Sequence, residues 1–289
     1  MATQAQALGD MEKIQVVEYL TQRRFDPEAV TAGPGLLACS AAAAAFDQTE
    51  VFLPVGPGHN TSRFLPEDAA ALTAADLPQL QLKWAFAFPG ATRARSQPTA
   101  GMGAVFVGSQ DGTVYAFDLE SGCVRWTFQA AAEVRTATVL DRQEGSEPLL
   151  FFGDIIANFY AVNALTGELS WKRRMDPHPS ATLTGTPAVH EDRLLVPVSS
   201  LEVIAAADEN YECCSFRGKV VALDRKSGDE LWTAYSIKEE PTQSSITSAG
   251  TAVLSPSGAP VWTTPTVIPE LGLVVFGTGE NYSTPSDGN

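Results

Sequence analysis

The chain has 289 residues, a hydrophobic share of 44% and a formal net charge of −15. That length holds one large domain or two small ones, with ample apolar material for a core. So acidic a composition argues against nucleic acid or an anionic membrane as partner, and no apolar run is long enough to span a bilayer.

Residues 10–24 place Ile14, Val17 and Leu20 at helical spacing behind Asp10, a capping residue, which predicts a short amphipathic helix. Residues 25–78 are rich in Pro, Gly and Ala and read as a leader that wraps the domain surface, with a helical turn at 66–72. Leu36, Leu37, Ala38 and Cys39 have the look of a lipoprotein cleavage site, but the charged residues before them lack an apolar core, so the match is read as coincidence. Ala41 to Ala45 are expected to form a helix. His59, in a Gly-Pro-Gly-His-Asn loop, is expected to be solvated. Cys39 and Cys123 carry no signal, and four cysteines are too few for a disulfide-built scaffold. No Cys-x-x-Cys-His occurs, so no haem is covalently attached, and no zinc spacing is present.

From residue 79 a repeat begins. Leu82, Trp84 and Phe86 alternate as in a strand. Two further apolar strands (105–108 and 114–118) lead through Ser121 and Gly122 to a strand bearing Trp126. A second copy ends at Trp171 and a third at Trp232, while a fourth opens at Thr264 and Pro265. Trp126 and Trp171 are 45 residues apart, Trp171 and Trp232 are 61 apart, and the excess is an inserted loop carrying Cys213 and Cys214. Repeats of this period, with four short strands each, are propeller blades. In each, an Asp/Asn-x-x-Ser/Thr-Gly turn joins the third and fourth strands, glycine supplying the positive φ. The tryptophans are expected to pack between blades.

The repeated Leu-Asp-x-x-Ser/Thr-Gly-x-x-x-Trp pattern resembles the pyrroloquinoline quinone (PQQ) propeller family. Residues 82–98 (LKWAFAFPGATRARSQP), 211–218 (YECCSFRG) and 277–283 (GTGENYS) are most similar to its polyvinyl-alcohol-dehydrogenase-like branch. The resemblance implies an all-β, PQQ-type β-propeller over residues 79–289. It is incomplete, with about three and a half four-stranded blades, behind a short helical segment in the 1–78 leader. It further implies an alcohol dehydrogenase that uses PQQ and calcium, acts on an alcohol substrate, and passes electrons to an external acceptor such as a cytochrome c. The implied compartment is periplasmic or extracellular, although no signal peptide is recognisable. The non-catalytic outer-membrane assembly scaffolds share the repeat, and a binding or assembly scaffold is the alternative.

The family's spacing carries particular roles onto this chain. Thr184 and Ser199 fall where the family contacts PQQ, and Glu202 falls on its calcium ligand. Trp262 falls on the floor beneath the quinone. Glu280, eighteen residues on, replaces an asparagine that ligates the metal. Trp262 also stands before the first strand of its blade, unlike the repeat tryptophans, though packing is the competing reading. Two surface loop glutamates are the plain alternative for Glu202 and Glu280. A tricarboxylate needs cations, and Arg93, Arg95, Arg135 and Arg217 lie near predicted strand ends. At least one of them is expected to be a solvated surface residue. In the family a ring closed by adjacent cysteines caps the quinone, which suggests Cys213 and Cys214, with a pair of buried thiols as the other reading. Here the pair follows the Glu202 loop, whereas the alcohol dehydrogenases place theirs about a blade earlier, where this chain has Glu133 to Thr136. The family's catalytic aspartate is expected beyond Asn289, so no catalytic residue is assigned within the chain.

Overall fold

The computed structural model describes residues 72–283, together with 36–42, 44–48 and the single positions 11, 15, 18, 59 and 70. Three antiparallel four-strand meanders follow one another along the chain. The first blade comprises β1 (Thr99–Gly101), β2 (Ala104–Gly108), β3 (Thr113–Asp118) and β4 (Val124–Gln129). The second comprises β5 (Val139–Asp141), β6 (Leu149–Gly153), β7 (Asn158–Asn163) and β8 (Leu169–Arg174). After the two-residue β9 (Ala181–Thr182), the third comprises β10 (Ala188–His190), β11 (Arg193–Ser200), β12 (Lys219–Asp224) and β13 (Glu230–Tyr235). A short helix, α1 (Glu202–Ala205), follows β11. A hairpin of β14 (Thr242–Ile246) and β15 (Ala252–Ser255) projects after the third blade. The partial fourth blade has β17 (Thr266–Ile268) paired with β18 (Leu273–Val275), flanked by the pair β16 (Ser257–Gly258) and β19 (Asn281–Ser283).

The middle strands β6 and β7 are buried along almost their whole length, as strands covered on both faces should be. Their side chains fill two inter-blade cores. One joins Phe106, Val114 and Leu140 to Phe152 and Tyr160; the other joins Phe151, Phe159 and Trp171 to Leu194, Val196 and Val221.

The turn before each fourth strand shows why the repeat is written as it is. Asp118, Asn163 and Asp224 accept backbone N–H bonds from their own turns, at 2.8 Å from Ser121, 2.8 Å from Leu165 and 2.8 Å from Ser227. Gly122, Gly167 and Gly228 follow at φ of +72°, +75° and +70°. Glycine answers a second demand here, because a tryptophan of the preceding repeat lies on each one. A Cβ on Gly122 would stand 2.6 Å from the Trp84 ring, on Gly167 2.8 Å from Trp126, and on Gly228 2.6 Å from Trp171. Each indole N–H then donates to the same turn, to Leu119 O (3.0 Å), Ala164 O (3.0 Å) and Arg225 O (3.3 Å). Trp232, at the matching position of β13, stays 38% exposed. A fully buried Arg225 adds a second clamp between blades, donating to Asp141 Oδ2 at 2.6 Å and to Gln143 Oε1 at 2.5 Å.

Several sequence expectations change. Residues 81–88 form no strand: they have no ladder partner among the described residues, and Trp84, Phe86 and Phe88 instead pack on Tyr115 and Phe117. Ala41, Ala42 and Ala44 are turn residues, not a helix, because the chain just before them is committed to the edge of β4. There Val124 N–H donates to Leu37 O at 2.8 Å and Cys39 N–H to Val124 O at 3.0 Å. Cys39 and Cys123, thought silent, are joined as a disulfide. His59 is half-buried with Nε2 2.6 Å from Leu140 O, not solvated. Met11, Gln15, Glu18 and Ala70 are helical where helix was expected, while Ile14, Val17 and Leu20 lie outside the described residues.

Candidate functional site

The end of β11 positions the site. Ser199 and Ser200 are buried and pair with Thr182 and Ala181 of β9. The chain then turns into α1, whose first residue Glu202 has no exposed surface. Its own N–H donates to Ser200 Oγ at 2.9 Å. The carboxylate is enclosed by donors: Tyr211 OH at 3.1 Å and Ser215 N–H at 3.0 Å on Oε1, and Phe216 N–H at 2.9 Å on Oε2. His178 Nε2 stands 3.3 Å from Oε1. Burial pushes this carboxyl up, but the hydrogen bonds from His178 and the two backbone amides outweigh it and hold the group below its ordinary value.

Trp262 approaches from the next blade. Val261 N–H donates to Val198 O at 3.2 Å, which docks this segment on β11. Glycines back this segment at two points: a Cβ on Gly185 would stand 2.9 Å from the Trp262 carbonyl carbon, and one on Gly279 would stand 2.9 Å from the Pro260 ring and 3.3 Å from the edge of the indole. Trp262 is 49% exposed, so much of the indole is open. Thr184 adjoins Gly185 and Glu280 adjoins Gly279. Glu280 is exposed, and its carbonyl accepts Ala259 N–H at 2.8 Å. Tyr282 links the two acidic positions, its hydroxyl donating to Ser200 O at 3.2 Å. Burial above all, then the charges of Glu280 and Glu202, push its phenol up to about 12. The segments that carry Thr184, Ser199 and Glu202 thus meet those that carry Trp262 and Glu280 where the third blade joins the partial fourth.

Of the four arginines, Arg217 adjoins this junction, its backbone bridged to Gly258, while Arg93 and Arg135 are both paired with Glu133. Arg95 is exposed. Arg135 Nε bonds Glu133 Oε1 at 3.1 Å, and Arg93 NH2 bonds Glu133 Oε2 at 2.6 Å. Arg217 lies over the Tyr235 ring at 4.2 Å and donates to the carbonyls of Lys238 (3.0 Å) and Glu239 (3.3 Å). Arg93, Arg135 and Arg217 each have an acceptor of their own at hand. Cys213 and Cys214 form a vicinal disulfide, held by β15 through Leu254 N–H to Cys213 O at 2.6 Å and Cys214 N–H to Leu254 O at 3.3 Å. A cleft of about 350 Å³ opens beside the Glu202 network, lined by Asp176, His178, Ser215, Arg217, Lys219 and Tyr235, and neither Trp262 nor Glu280 lines it. His178, Tyr211 and Tyr282 were missed from sequence. The rigid Pro177-His178-Pro179 stretch was the one signal available for His178.

Residues 68–263 match the family described as outer membrane protein assembly factor BamB, the PQQ_2 repeat family. The chain belongs to the PQQ-repeat family. Among PQQ-repeat relatives, a polyvinylalcohol dehydrogenase of Pseudomonas sp. is 38% identical over 79% of this chain and 36% of its own length. Another, from Sphingopyxis sp. strain 113P3, is 37% identical over 74% of this chain and 33% of its own length. The chain therefore spans about a third of the length of these curated relatives. A quinoprotein alcohol dehydrogenase, PedH of Pseudomonas putida, is 24% identical over 78% of this chain and 39% of its own length. In fold the chain is similar to a europium-containing methanol dehydrogenase, with a TM-score of 0.55 at 22% identity, covering 73% of this chain and 40% of that one.

Two groups named by the resemblance meet different receptions. The half-exposed Trp262 indole, with its edge against Gly279, is a surface a flat quinone could stack on, and Thr182, opposite Ser199, has a buried hydroxyl with no hydrogen-bond partner among the described residues. Calcium does not fit as the side chains stand. It takes six to eight oxygens, whereas the Glu202 lone pairs face hydrogen-bond donors. Among the described residues no three His, Cys, Asp or Glu side chains gather to hold a metal.

Proposed function

We propose that the chain is part of a PQQ-dependent dehydrogenase that oxidises alcohols, of the kind acting on polyvinyl alcohol or other secondary alcohols. The observation that carries the reading is Trp262, whose indole is half-exposed, with its backbone carbonyl against Gly185 and its ring edge against Gly279. Bound PQQ supplies the two-electron acceptor for alcohol oxidation. The chain's own part is to present the indole as a stacking floor, with Thr184 and Ser199 at its margin for polar groups of the ring. The disulfide loop stands close by, with Arg217 at its end. Electrons pass to an external acceptor such as a cytochrome c, and the compartment is periplasmic or extracellular. Calcium as Lewis acid at Glu202 and Glu280 belongs to the same expectation, but Glu202 as it stands is taken up by hydrogen-bond donors.

The test is a PQQ titration followed by the absorbance of the quinone and by quenching of tryptophan fluorescence. A saturable shift in the wild-type chain, weakened at least about tenfold in Trp262→Ala, supports the stacking floor, since base-like stacking on an aromatic ring is worth about 1–3 kcal/mol. Equal binding by both proteins removes Trp262 from the site. No binding at all favours a scaffold, as in the outer membrane protein assembly factor of the matched family.

A further inference from the structure

Glu202 is unusual in that most of its partners come from one short stretch. Tyr211 OH, Ser215 N–H and Phe216 N–H all donate to it, and that stretch contains the Cys213–Cys214 disulfide. The fourth partner is His178, from the segment after β8. Its Nδ1 accepts the backbone N–H of Ser180 at 3.1 Å, which leaves the ring proton on Nε2, facing Glu202 Oε1 at 3.3 Å and Ser215 Oγ at 3.2 Å. The outer side of the loop is fastened separately, by the β15 backbone at Leu254 and by Thr247 Oγ1 donating to Glu209 O at 3.0 Å. The inner side has Glu202 at its centre.

We propose that Glu202 is the staple that fixes the Cys213–Cys214 loop to the end of β11, that His178 is a positioning residue for this carboxylate, and that a cation reaches Glu202 only if the loop lets go. The reason is electrostatic. The hydrogens of Ser215 and Phe216 occupy the directions along which a metal would approach, and N–H dipoles pointing at the carboxylate repel a cation placed among them. A charged acceptor for two backbone amides gives stronger bonds than a neutral one. The loop therefore depends on the charge at position 202, not only on its shape. The staple stands whether or not the chain binds a quinone. Its meaning for a cap over the site rests on the proposed function.

The test follows the amide hydrogens of Ser215 and Phe216 by hydrogen exchange and NMR in the whole chain, without quinone. Glu202→Gln is expected to speed their exchange at least about tenfold and to move their proton shifts upfield, as charge-assisted bonds become neutral. His178→Ala is expected to loosen the same two amides, and His178→Gln, which returns an N–H at similar reach, to restore part of the protection. If Glu202→Gln does not fold, Tyr211→Phe and His178→Ala each remove a single donor and are read at the same amides. Calcium alone is then added to the wild-type chain. Protection that falls as calcium binds in a Glu202-dependent way supports the competition. Protection unchanged in Glu202→Gln overturns the staple, and calcium bound through Glu202 with both amides still protected overturns the competition. A failed PQQ titration alters none of these readings, so the two proposals fail separately.

Discussion

The disulfide between Cys39 and Cys123 offers the most direct measurement of how the leader is joined to the blades. The perturbation is the double variant Cys39→Ser, Cys123→Ser, which spares the Cys213–Cys214 bridge that a reducing agent would also open. The two cysteines are 84 residues apart. Loop-closure entropy for a loop of that length corresponds to about 4.5 kcal/mol at 25 °C. Removing a native disulfide typically costs about 2–5 kcal/mol, so the expected loss lies between about 2 and 4.5 kcal/mol. The bridge also holds residues 37–39 against the outer edge of β4, where Ala38 pairs with Val124 in parallel. Freeing them would expose strand edge, which invites association. The assay is guanidinium unfolding of the oxidised wild type and the double variant, with light scattering to follow association. A non-reducing peptide map checks that Cys39 and Cys123 share a fragment. An unchanged midpoint, or Cys39 mapped to another cysteine, would refute the reasoning.

Two further outcomes follow from the turns. Gly228→Ala must place a methyl 2.6 Å from the Trp171 ring at a φ of +70°. A loss of about 2 kcal/mol or more is expected from combined strain and displaced packing, and differential scanning calorimetry would show it as a lowered Tm. An equally stable variant would mean the indole does not sit on the turn. The Asp118 carboxyl is lowered to about 2, chiefly by the Ser121 hydroxyl, with Arg125 adding at 2.7 Å. A carboxyl depressed on folding contributes stability that is present above its unfolded pKa near 3.8 and is lost as pH falls through the folded value. Acid unfolding of Asp118→Asn should accordingly lose this carboxyl's share of the pH dependence between about 4 and 2, while other lowered carboxyls such as Asp224 keep theirs, and a curve parallel to wild type would count against the assignment.

The blades were legible because their signal is repeated and local. An apolar strand, an Asx turn, a glycine and a tryptophan recur in order, and each can be read within about 25 residues. What the pattern leaves out is the partner. The alternation around Trp84 points to a strand, yet its lasting contact is the Gly122 turn, and its backbone has no ladder partner among the described residues. The pairing of Cys39 with Cys123 is a contact across 84 residues that spacing alone does not reveal. The arginines show the same limit at side-chain scale. Position near a strand end brought Arg93 and Arg135 to a common place, but the buried Glu133 between them takes up both.

At the candidate site, spacing and environment part company, and Glu202 shows why. Its distance from Thr184 and Ser199 along the chain is the family's spacing for a metal ligand, while its observed partners are Tyr211, Ser215, Phe216 and His178. Spacing fixes only where the Cα stands. What the carboxylate does is decided by His178, which arrives from the previous blade, and by two amides of an inserted loop that belongs to no repeat. A buried carboxylate without partners would be costly, so once the loop supplies donors the group is bound to them until something stronger competes. The repeat accordingly builds a frame whose positions can be counted from the sequence. The inserted loop assigns each position its chemistry, and at Glu202 that chemistry is to hold the disulfide loop in place.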